Sequence, residues 1–491
     1  MRHSRPLPTG DKRVLFFLIV HLCFLPWALG TMHAWSQLTS LVLSALGFTV
    51  ALTSGRSKRD AGSAEGQSLS STAFPFPQTG PVGRLLRFPL FWIGLALLAY
   101  IAVQAFNPSW RYTTNGSYWW LVPVPNISWL PTSVDTPFER FNVWRQFIIY
   151  ASAWLTLCTV WIGLTRRRAL TILLMVLALN AAILVMAGFY LRATQAANQL
   201  LWLGIRPNTV TFASFIYKNH ASAYLALVAA VFVVLAVRHH ERALREHARS
   251  SPALLYVLGA LGLFFAVIIT YSRGGTLLLG AYLLGSGLLY ALYRYLSGAT
   301  SSTPRIVTLT VSSMVMFVLI FALVQLDMRR IAGRFERLTD SVPKDVSISQ
   351  RIEAGEAARD MFANSWPRGI GAGGFRFVFP EYIRRFAGSY KGGQLFWEHA
   401  HNDWLQLPIE LGVTGVVLLG CGIVWWVSRF CRAGRWRHLP SLLLALGLLQ
   451  TLAHASIDFP FQNPAILITW LVLAAIAVRY AERDETANGA R

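Results

Sequence analysis

The sequence predicts an all-α protein that crosses a membrane about twelve times, with a long segment outside the membrane between the ninth and tenth helices. Of the 491 residues, 54% are hydrophobic and only 13% are charged. With a mean hydropathy of +0.46, the chain is too apolar for one or two soluble domains. The apolar residues form runs of about 20, the length that crosses a hydrocarbon core. Short basic loops separate many of these runs.

Each predicted helix corresponds to one apolar run. The spans lie at about 14–30, 34–52, 88–105, 144–164, 169–189, 220–237, 253–271, 275–293, 306–326, 401–428, 440–456 and 464–479. The first run is also compatible with a signal peptide, because four basic residues precede it and Ala28-Leu29-Gly30 resembles a cleavage site.

The basic loops predict the orientation of the chain. Lys and Arg cluster near residues 56–59, 166–168, 238–249 and 429–437, and all four clusters lie on one side if both termini are cytoplasmic. The predicted divisions are N-terminal helices at 1–52, a flexible cytoplasmic linker at 53–87, a transmembrane core at 88–326, an outer helical segment at 327–400 and C-terminal helices at 401–491.

Charge and cysteine usage exclude other classes of protein. The net charge of +22 is spread over short loops and forms no basic stripe on a soluble domain, so no nucleic acid partner is predicted. The four cysteines fall in or beside apolar runs without paired spacing, which indicates neither a disulfide framework nor a zinc site.

Two outer segments carry features of their own. The segment at about 106–142 contains several tryptophans, which we expect to form an interfacial belt, with sugar stacking as the alternative. In the long outer segment, Ser347 and Gln350 resemble a capping box that opens a helix running to about Ser365. Pro367 and Gly369 then end this helix.

The most informative stretch runs from Glu398 to Gly415. His401, Leu405, Pro408, Gly412 and Gly415 follow one another at intervals of four and three residues, which places them on one helical face. The two glycines predict close packing by a neighbouring helix, and the proline predicts a kink. The glycines and the proline together would fix the position of the His401 imidazole at the entrance of the helix.

This stretch resembles the signature of the O-antigen ligase and polymerase family, in which His-Asn is followed by nine residues and then G-x-x-G. His401, Asn402, Gly412 and Gly415 match it without a gap. The resemblance implies an integral membrane glycosyltransferase of GT-C-like architecture in the bacterial inner membrane. Such an enzyme moves a glycan from undecaprenyl diphosphate to an acceptor hydroxyl at the periplasmic face.

The resemblance also implies the partners and the catalytic group. The donor is an undecaprenyl-diphosphate-linked glycan, the acceptor is lipid A–core or a growing glycan, and membrane lipids surround the enzyme. Neither a metal nor another cofactor is implied. His401 is the expected general base, since an imidazole titrates near neutral pH. Asn402 or Asp403 is expected to orient its ring.

Two arginines are the candidates for binding the diphosphate. Arg351 lies near the predicted start of the outer helix, where backbone N–H groups favour an anion, and by position it resembles the family's diphosphate-binding arginine. Arg273 lies in Ser-Arg-Gly-Gly275, which resembles a second such motif at the outer end of a membrane helix.

Several neighbouring residues are weaker candidates. Lys218, Asn219 and His220 resemble a family element and are expected near the substrates, with a helix-start role as the alternative. His399 is a supporting residue, and it is not expected to bind metal with His401 because positions i and i+2 point to different faces of a helix. The G-x-G-x-x-G at 369–374 is predicted to be a tight turn, because no strand-turn-helix unit surrounds it.

The sequence leaves several functions open. The resemblance favours a ligase, while a polymerase or a protein O-oligosaccharyltransferase would share its chemistry. A lipid-linked glycan transporter is the non-enzyme alternative. A transporter is expected to have repeated halves and ionisable groups near mid-membrane, whereas this sequence has no clear repeat and gathers its polar residues at the outer surface.

Overall fold

The computed structural model confirms an all-α membrane protein. It describes residues 6–54, 80–194, 211–297, 348–386 and 396–482. The helices in these ranges are α1 (Thr9–Trp27), α2 (Ala34–Thr53), α3 (Pro81–Leu86), α4 (Pro89–Phe106), α5 (Val143–Gly163), α6 (Arg167–Ala193), α7 (Lys218–Arg245), α8 (Ala253–Ile269), α9 (Arg273–Leu296), α10 (Ile348–Ser365), α11 (Phe375–Ile383), α12 (Asp403–Cys431), α13 (Leu439–His454) and α14 (Pro464–Ala481).

The predicted membrane spans correspond closely to these helices. Seven of the described helices are long and apolar enough to cross a bilayer, and α8, α13 and α14 are shorter apolar helices. Each predicted span overlaps one helix except the ninth, at 306–326, which lies outside the described residues. The short helix α3 falls within the stretch predicted as a linker at 53–87, most of which also lies outside the described residues.

Helix α7 forms the centre of the bundle. It is the most buried of the seven long apolar helices and packs against α6, α8, α9 and α13. The reason is its composition, since Ala and Val fill the stretch from Ala221 to Val237 and let neighbouring helices come close on every side. This packing holds the N-terminus of α7 beside the chain that connects α13 to α14.

The structure contains a three-stranded sheet that the sequence analysis did not predict. Its strands are β1 (Pro108–Thr114), β2 (Trp119–Pro123) and β3 (Ser133–Asp135). β1 pairs antiparallel with β2 and parallel with β3, in the order β2-β1-β3. The strands are rich in Trp, Tyr, Thr and Val, which favour extended structure. An Asn115-Gly116 turn joins β1 and β2, with Gly116 at a φ of 91°.

The sheet changes the interpretation of the tryptophans. Trp119 stacks on Tyr112 with ring centroids 5.6 Å apart and meets Phe377 of α11 edge to face. Trp119 therefore belongs to a small aromatic core between the sheet and α11, while Trp120 and Trp129 are exposed. We call the end of the bundle that carries β1–β3, α10 and α11 the sheet end.

Helix α10 confirms the helix predicted from Arg351 to about Ser365. It runs from Ile348 to Ser365, and Ser347 of the expected capping box lies outside the described residues. Ala354, Ala357, Ala358 and Met361 are buried at helical spacing and pack against Phe375 and Phe379 of α11. Helix α10 also packs against α12, so it is held next to the His401 stretch.

Candidate functional site

His401 lies just before α12, not on the helical face that the spacing predicted. The helix begins at Asp403 because the Asn402 side chain caps it, accepting a hydrogen bond from the Leu405 amide at 3.2 Å. His401 itself has a φ of 52°, in the left-handed region. A non-glycine residue in this conformation is uncommon and needs support from its surroundings.

The partner of the His401 ring is Asp458, which the sequence analysis did not single out. His401 Nδ1 lies 3.4 Å from Asp458 Oδ1, an ion-pair distance without the alignment of a hydrogen bond. Burial by itself raises the pKa of Asp458, but the interaction with His401 and the nearby His454 and His220 outweigh burial and lower that pKa below its usual value. Asp458 is therefore a carboxylate at neutral pH.

Asn219 and Tyr217 complete the surroundings of Asp458. The Asn219 amide donates hydrogen bonds to the Asp458 carboxylate and to the Tyr217 hydroxyl, the latter at 2.8 Å. The Tyr217 hydroxyl lies 3.5 Å from Asp458 Oδ2. Asn219, predicted near the substrates, thus acts directly on the carboxylate that faces His401.

The side chains of Asn402 and Asp403, which the sequence predicts to orient the His401 ring, form hydrogen bonds elsewhere. Asn402 caps α12, and Asp403 accepts hydrogen bonds from the Phe461 amide at 2.9 Å and from the Gln462 side chain at 3.3 Å. The Asp403 amide donates to the Ala455 carbonyl at 2.9 Å. Asp403 therefore joins the start of α12 to the turn that carries Asp458. The expectation is not met, because both side chains form their hydrogen bonds with groups other than His401.

An aromatic ring, Phe459, lies between the histidines of the site. The His399 ring stacks on it at 4.3 Å, and the His401 and His220 rings meet it edge to face, each at 4.9 Å. His399 and His401 thus face the same ring, which corrects the expectation that they point apart. That expectation assumed a helix, and neither residue is in one. Within the described ranges, no group of three or more His, Cys, Asp or Glu is positioned to hold a metal ion.

His399 is the first residue of a buried polar chain. Its Nδ1 lies 3.1 Å from the Gln406 side-chain nitrogen, and its Nε2 lies 3.5 Å from the guanidinium of Arg376. Burial, together with the charge of Arg376, holds the pKa of His399 well below its ordinary value. Gln406 also accepts a hydrogen bond from the Ala400 amide at 3.0 Å, which fixes the backbone immediately before His401.

The same chain continues to Glu410, which anchors the glycine turn at 369–374. The Gln406 side chain donates to Glu410 Oε1 at 3.0 Å, and Glu410 Oε2 accepts from the Gly373 amide at 3.0 Å. Gly369, Gly371 and Gly373 all have positive φ. A Cβ at Gly369 would lie 2.6 Å from the Glu410 carbonyl oxygen. The G-x-G-x-x-G is thus a turn docked on α12.

Gly412 is the point at which α12 breaks. Its φ of 59° and ψ of −164° are not helical, and the break lies here, not at Pro408. The Ile370 and Gly371 amides donate to the Ile409 and Glu410 carbonyls at 3.0 Å, and Tyr100 donates to the Leu411 carbonyl at 2.7 Å. The close neighbour at Gly412 is the backbone of Pro367 and Arg368, not the expected helix.

Gly415 also differs from the expectation of helix packing. A Cβ added at Gly415 would meet the side chain of Leu411, one turn earlier in the same helix, at 2.2 Å. The cause is the break at Gly412, which brings the two halves of α12 together. Gly415 therefore accommodates the break and does not seat a second helix.

The two candidate arginines lie at the same end of the bundle as His401. Arg273 is the exposed first residue of α9, and a Cβ on the adjacent Gly274 would lie 2.6 Å from Ile457. The start of α9 therefore abuts the turn that carries Asp458. Arg351 is exposed in the first turn of α10. Burial and Asp458 raise the pKa of the Tyr217 phenol, and the charge of Arg351 opposes that rise.

The remaining candidates are at the N-terminus of α7. Lys218 is its half-buried first residue. His220 lies 3.5 Å from the Asn463 amide and 5.0 Å, ring to ring, from Tyr217. One end of the bundle thus holds an imidazole paired with a carboxylate, an enclosing set of aromatic rings and two exposed guanidinium groups. This set can accept a proton and attract a diphosphate.

The fold is that of a multi-pass α-helical membrane protein, with a histidine–carboxylate pair and two exposed arginines at one end. The profile of the O-antigen ligase family (Wzy_C) matches residues 258–420. The match confirms the resemblance predicted from the sequence, over about a third of the chain. It includes Arg273, Arg351 and His401, whereas Asn219 and Asp458 lie outside it. No curated protein matches the chain.

Proposed function

We propose that the protein transfers a glycan from undecaprenyl diphosphate to an acceptor hydroxyl, and that it is an O-antigen ligase with lipid A–core as the acceptor. The observation that carries this proposal is the pairing of His401 with Asp458 at the end of the bundle that also presents Arg273 and Arg351. The family match supports the same class of reaction. In this proposal the sheet end faces the periplasm and the basic loops face the cytoplasm, as the positive-inside rule requires.

In the proposed mechanism, His401 is the general base. Its Nδ1 faces Asp458, which leaves Nε2 for the acceptor hydroxyl. The acceptor oxygen attacks the anomeric carbon of the donor, the bond from that carbon to the diphosphate breaks, and the hydroxyl proton moves to Nε2. The Asp458 carboxylate stabilises the imidazolium that forms. A general base of this kind typically accelerates a reaction about 10²–10⁴-fold.

The arginines assist the departure of the leaving group. Negative charge grows on the undecaprenyl diphosphate as the bond to the sugar breaks, and Arg273 and Arg351 neutralise it. Guanidinium groups suit this role because they bind phosphate oxygens in a bidentate manner. Direct displacement inverts the anomeric centre, and the donor supplies the energy, so the mechanism uses neither a metal nor a nucleotide.

The test is transfer by purified protein in nanodiscs, given a labelled polyprenyl-linked glycan and candidate acceptors. We expect His401→Ala to abolish transfer while the protein stays inserted and as abundant as wild type. Full activity of this variant would remove His401 as the base. Absence of transfer by the wild type, with movement of the labelled lipid between the leaflets of sealed proteoliposomes, would favour the transporter instead.

A gene deletion separates the ligase from the polymerase. We expect cells without the protein to make core lipopolysaccharide with no ladder of attached glycan. A single repeat unit on the core would identify a polymerase, because the first unit would still be ligated. An unchanged ladder together with loss of glycan from proteins would identify a protein O-oligosaccharyltransferase.

A further inference from the structure

A cavity at the sheet end lies apart from the His401 pair. It is an open cleft of about 580 Å³, lined by the start of β1, the loop at 126–132, the end of α10 and the glycine turn. Its walls include the indoles of Trp110 and Trp366, the amides of Asn126 and Asn364, and Arg368. No residue assigned to the transfer chemistry is part of this lining.

The chemistry of the lining selects a class of ligand. Side-chain amides and the hydroxyls of serine and threonine both donate and accept hydrogen bonds, and they match a molecule covered with hydroxyl groups. Two partly exposed indoles, with 40% of Trp110 and 42% of Trp366 accessible, offer apolar faces on which sugar C–H groups can stack. The lining includes no carboxylate, which disfavours a cation. It includes a single guanidinium, which is too little positive charge for a polyanion.

Both walls of the cavity are fixed by hydrogen bonds to membrane helices. On one side, the Asn107 side chain at the end of α4 accepts from the Ile127 amide at 2.8 Å and donates to the Ile127 and Pro131 carbonyls. On the other, the Ile370 amide donates to the Ile409 carbonyl of α12 at 3.0 Å. The cavity is therefore formed in advance, as ligand sites usually are.

Helix α10 connects this cavity to the diphosphate end of the site. Arg351 is in its first turn, and Asn364 is in its last. The thirteen helical steps from one position to the other correspond to about 20 Å at the rise of an α-helix. A glycan of several sugars lying along α10 would span that distance, whereas a single sugar would not.

We infer that this cavity is a saccharide subsite that binds sugars of the glycan chain remote from the bond that is made. The inference rests on the proposed transfer function, because the glycan is its substrate. Both the donor and the acceptor carry such sugars, and the chemistry of the cavity is the same for either source. Its purpose is to hold a long glycan in position while the sugar at the site of transfer reacts.

The first experiment measures binding of lipid-free oligosaccharides, released from the cell's lipid-linked glycan, to full-length protein in nanodiscs. We expect Trp110→Ala to weaken binding about tenfold, the loss of one aromatic contact, and Trp110→Phe to retain most of it. Trp120→Ala is the matched control, because alternation along the paired strands places Trp120 on the opposite face of the sheet from Trp110. Equal binding by Trp110→Ala, Asn364→Ala and wild type would overturn the inference.

The second experiment identifies the source of the saccharide and separates this inference from the proposed function. We expect Trp110→Ala to raise KM about tenfold for the substrate that carries several sugars, with kcat and the KM of a one-sugar analogue unchanged. A higher KM for the donor shows that the cavity binds donor sugars, and a higher KM for the acceptor shows that it binds acceptor sugars. An unchanged KM for both contradicts the inference. His401→Ala should bind oligosaccharide like wild type. If wild-type protein binds oligosaccharide but transfers no glycan, the proposed function fails while the subsite stands.

Discussion

Asp458 faces His401 at 3.4 Å although all of α12 and α13 lie between them in the sequence. The two residues meet because Asp403, at the start of α12, holds the turn after α13 through the Ala455 carbonyl and the Phe461 amide. The proposed base and its carboxylate are therefore aligned by the closure of the C-terminal helices. The first prediction tests this pairing.

We predict that Asp458→Asn lowers kcat at least about a hundredfold with little change in KM, since loss of the carboxylate in such a pair typically costs more than that. The amide keeps the shape of the side chain and a hydrogen-bonding atom toward Asn219. Asp135→Asn is the control, because Asp135 forms an exposed ion pair with Arg111. The measurement is the steady-state kcat and KM for glycan transfer by both variants. A wild-type kcat in Asp458→Asn would exclude the pair from catalysis.

The arginine assignments predict a different kinetic signature. Arg351→Ala and Arg273→Ala should each lower kcat/KM for the lipid-linked donor about 10–100-fold, the value of a charge-assisted hydrogen bond that strengthens as the leaving group departs. Arg384→Ala should behave like wild type, because Arg384 is exposed and pairs with Glu381 one turn earlier in the chain. Titration of donor at saturating acceptor measures the effect. If all three variants match wild type, the arginines do not bind the diphosphate.

The break in α12 predicts an unequal pair of glycine substitutions. Gly412→Ala should destabilise the protein by about 3 kcal/mol or more, since its backbone conformation is essentially restricted to glycine and a Cβ would lie 2.4 Å from the Pro367 carbonyl oxygen. Gly420→Ala, in the same helix, meets nothing within 4 Å and should be neutral or slightly stabilising. Thermal unfolding in detergent compares them, and equal melting temperatures would show that the break is not required.

His399 predicts a loss of stability in mild acid. Its pKa in the folded protein lies well below the ordinary value, first through burial and then through Arg376, so the unfolded chain binds the proton more tightly. The free energy of unfolding is therefore highest above about pH 6.5. It decreases as the pH drops below that value, by up to about 1.4 kcal/mol per pH unit. His399→Phe should reduce this slope, measured as unfolding free energy between pH 7 and pH 5. An unchanged slope would show that groups other than His399 cause the loss of stability in acid.

Metal removal provides a further prediction. We expect transfer to continue at the wild-type rate after dialysis against EDTA, because the proposed stabilisation of the leaving group comes from arginine side chains. The measurement is the initial rate before and after chelation, with added Mg²⁺ as the control. Inhibition by EDTA that added Mg²⁺ reverses would show that a divalent cation contributes to stabilisation of the leaving group.

The helices were predictable because their signals are local. Apolar runs, the Pro367 stop and the helix through Arg351 to Ser365 are all set by residues close together in the chain. The sheet had a local signal as well, the Asn115-Gly116 turn between segments rich in Trp, Tyr and Thr. It was missed because a tryptophan-rich segment beside a membrane also predicts an interfacial belt.

The candidate site was predictable only in part. His401 and the arginines lie in motifs, but Asp458 acquires its role from contacts with residues far away in sequence. A signal for it exists, since Asp458 is the sole acidic residue between Leu439 and Ala481, and a lone carboxylate beside apolar helices needs a partner. The orientation of His399 and His401 was not accessible, because it depends on where α12 begins.

The break at Gly412 has a consequence for biogenesis. In a lipid environment each backbone carbonyl without a donor costs several kcal/mol, and the carbonyls of Ile409, Glu410 and Leu411 obtain donors from the glycine turn and from Tyr100. These partners precede α12 in the chain, so the ribosome has already delivered them when that helix emerges. The backbone hydrogen bonds at the break in α12 therefore depend on residues that are synthesised before this helix, and a chain that lacks residues 367–371 would leave the Ile409 and Glu410 carbonyls without these donors.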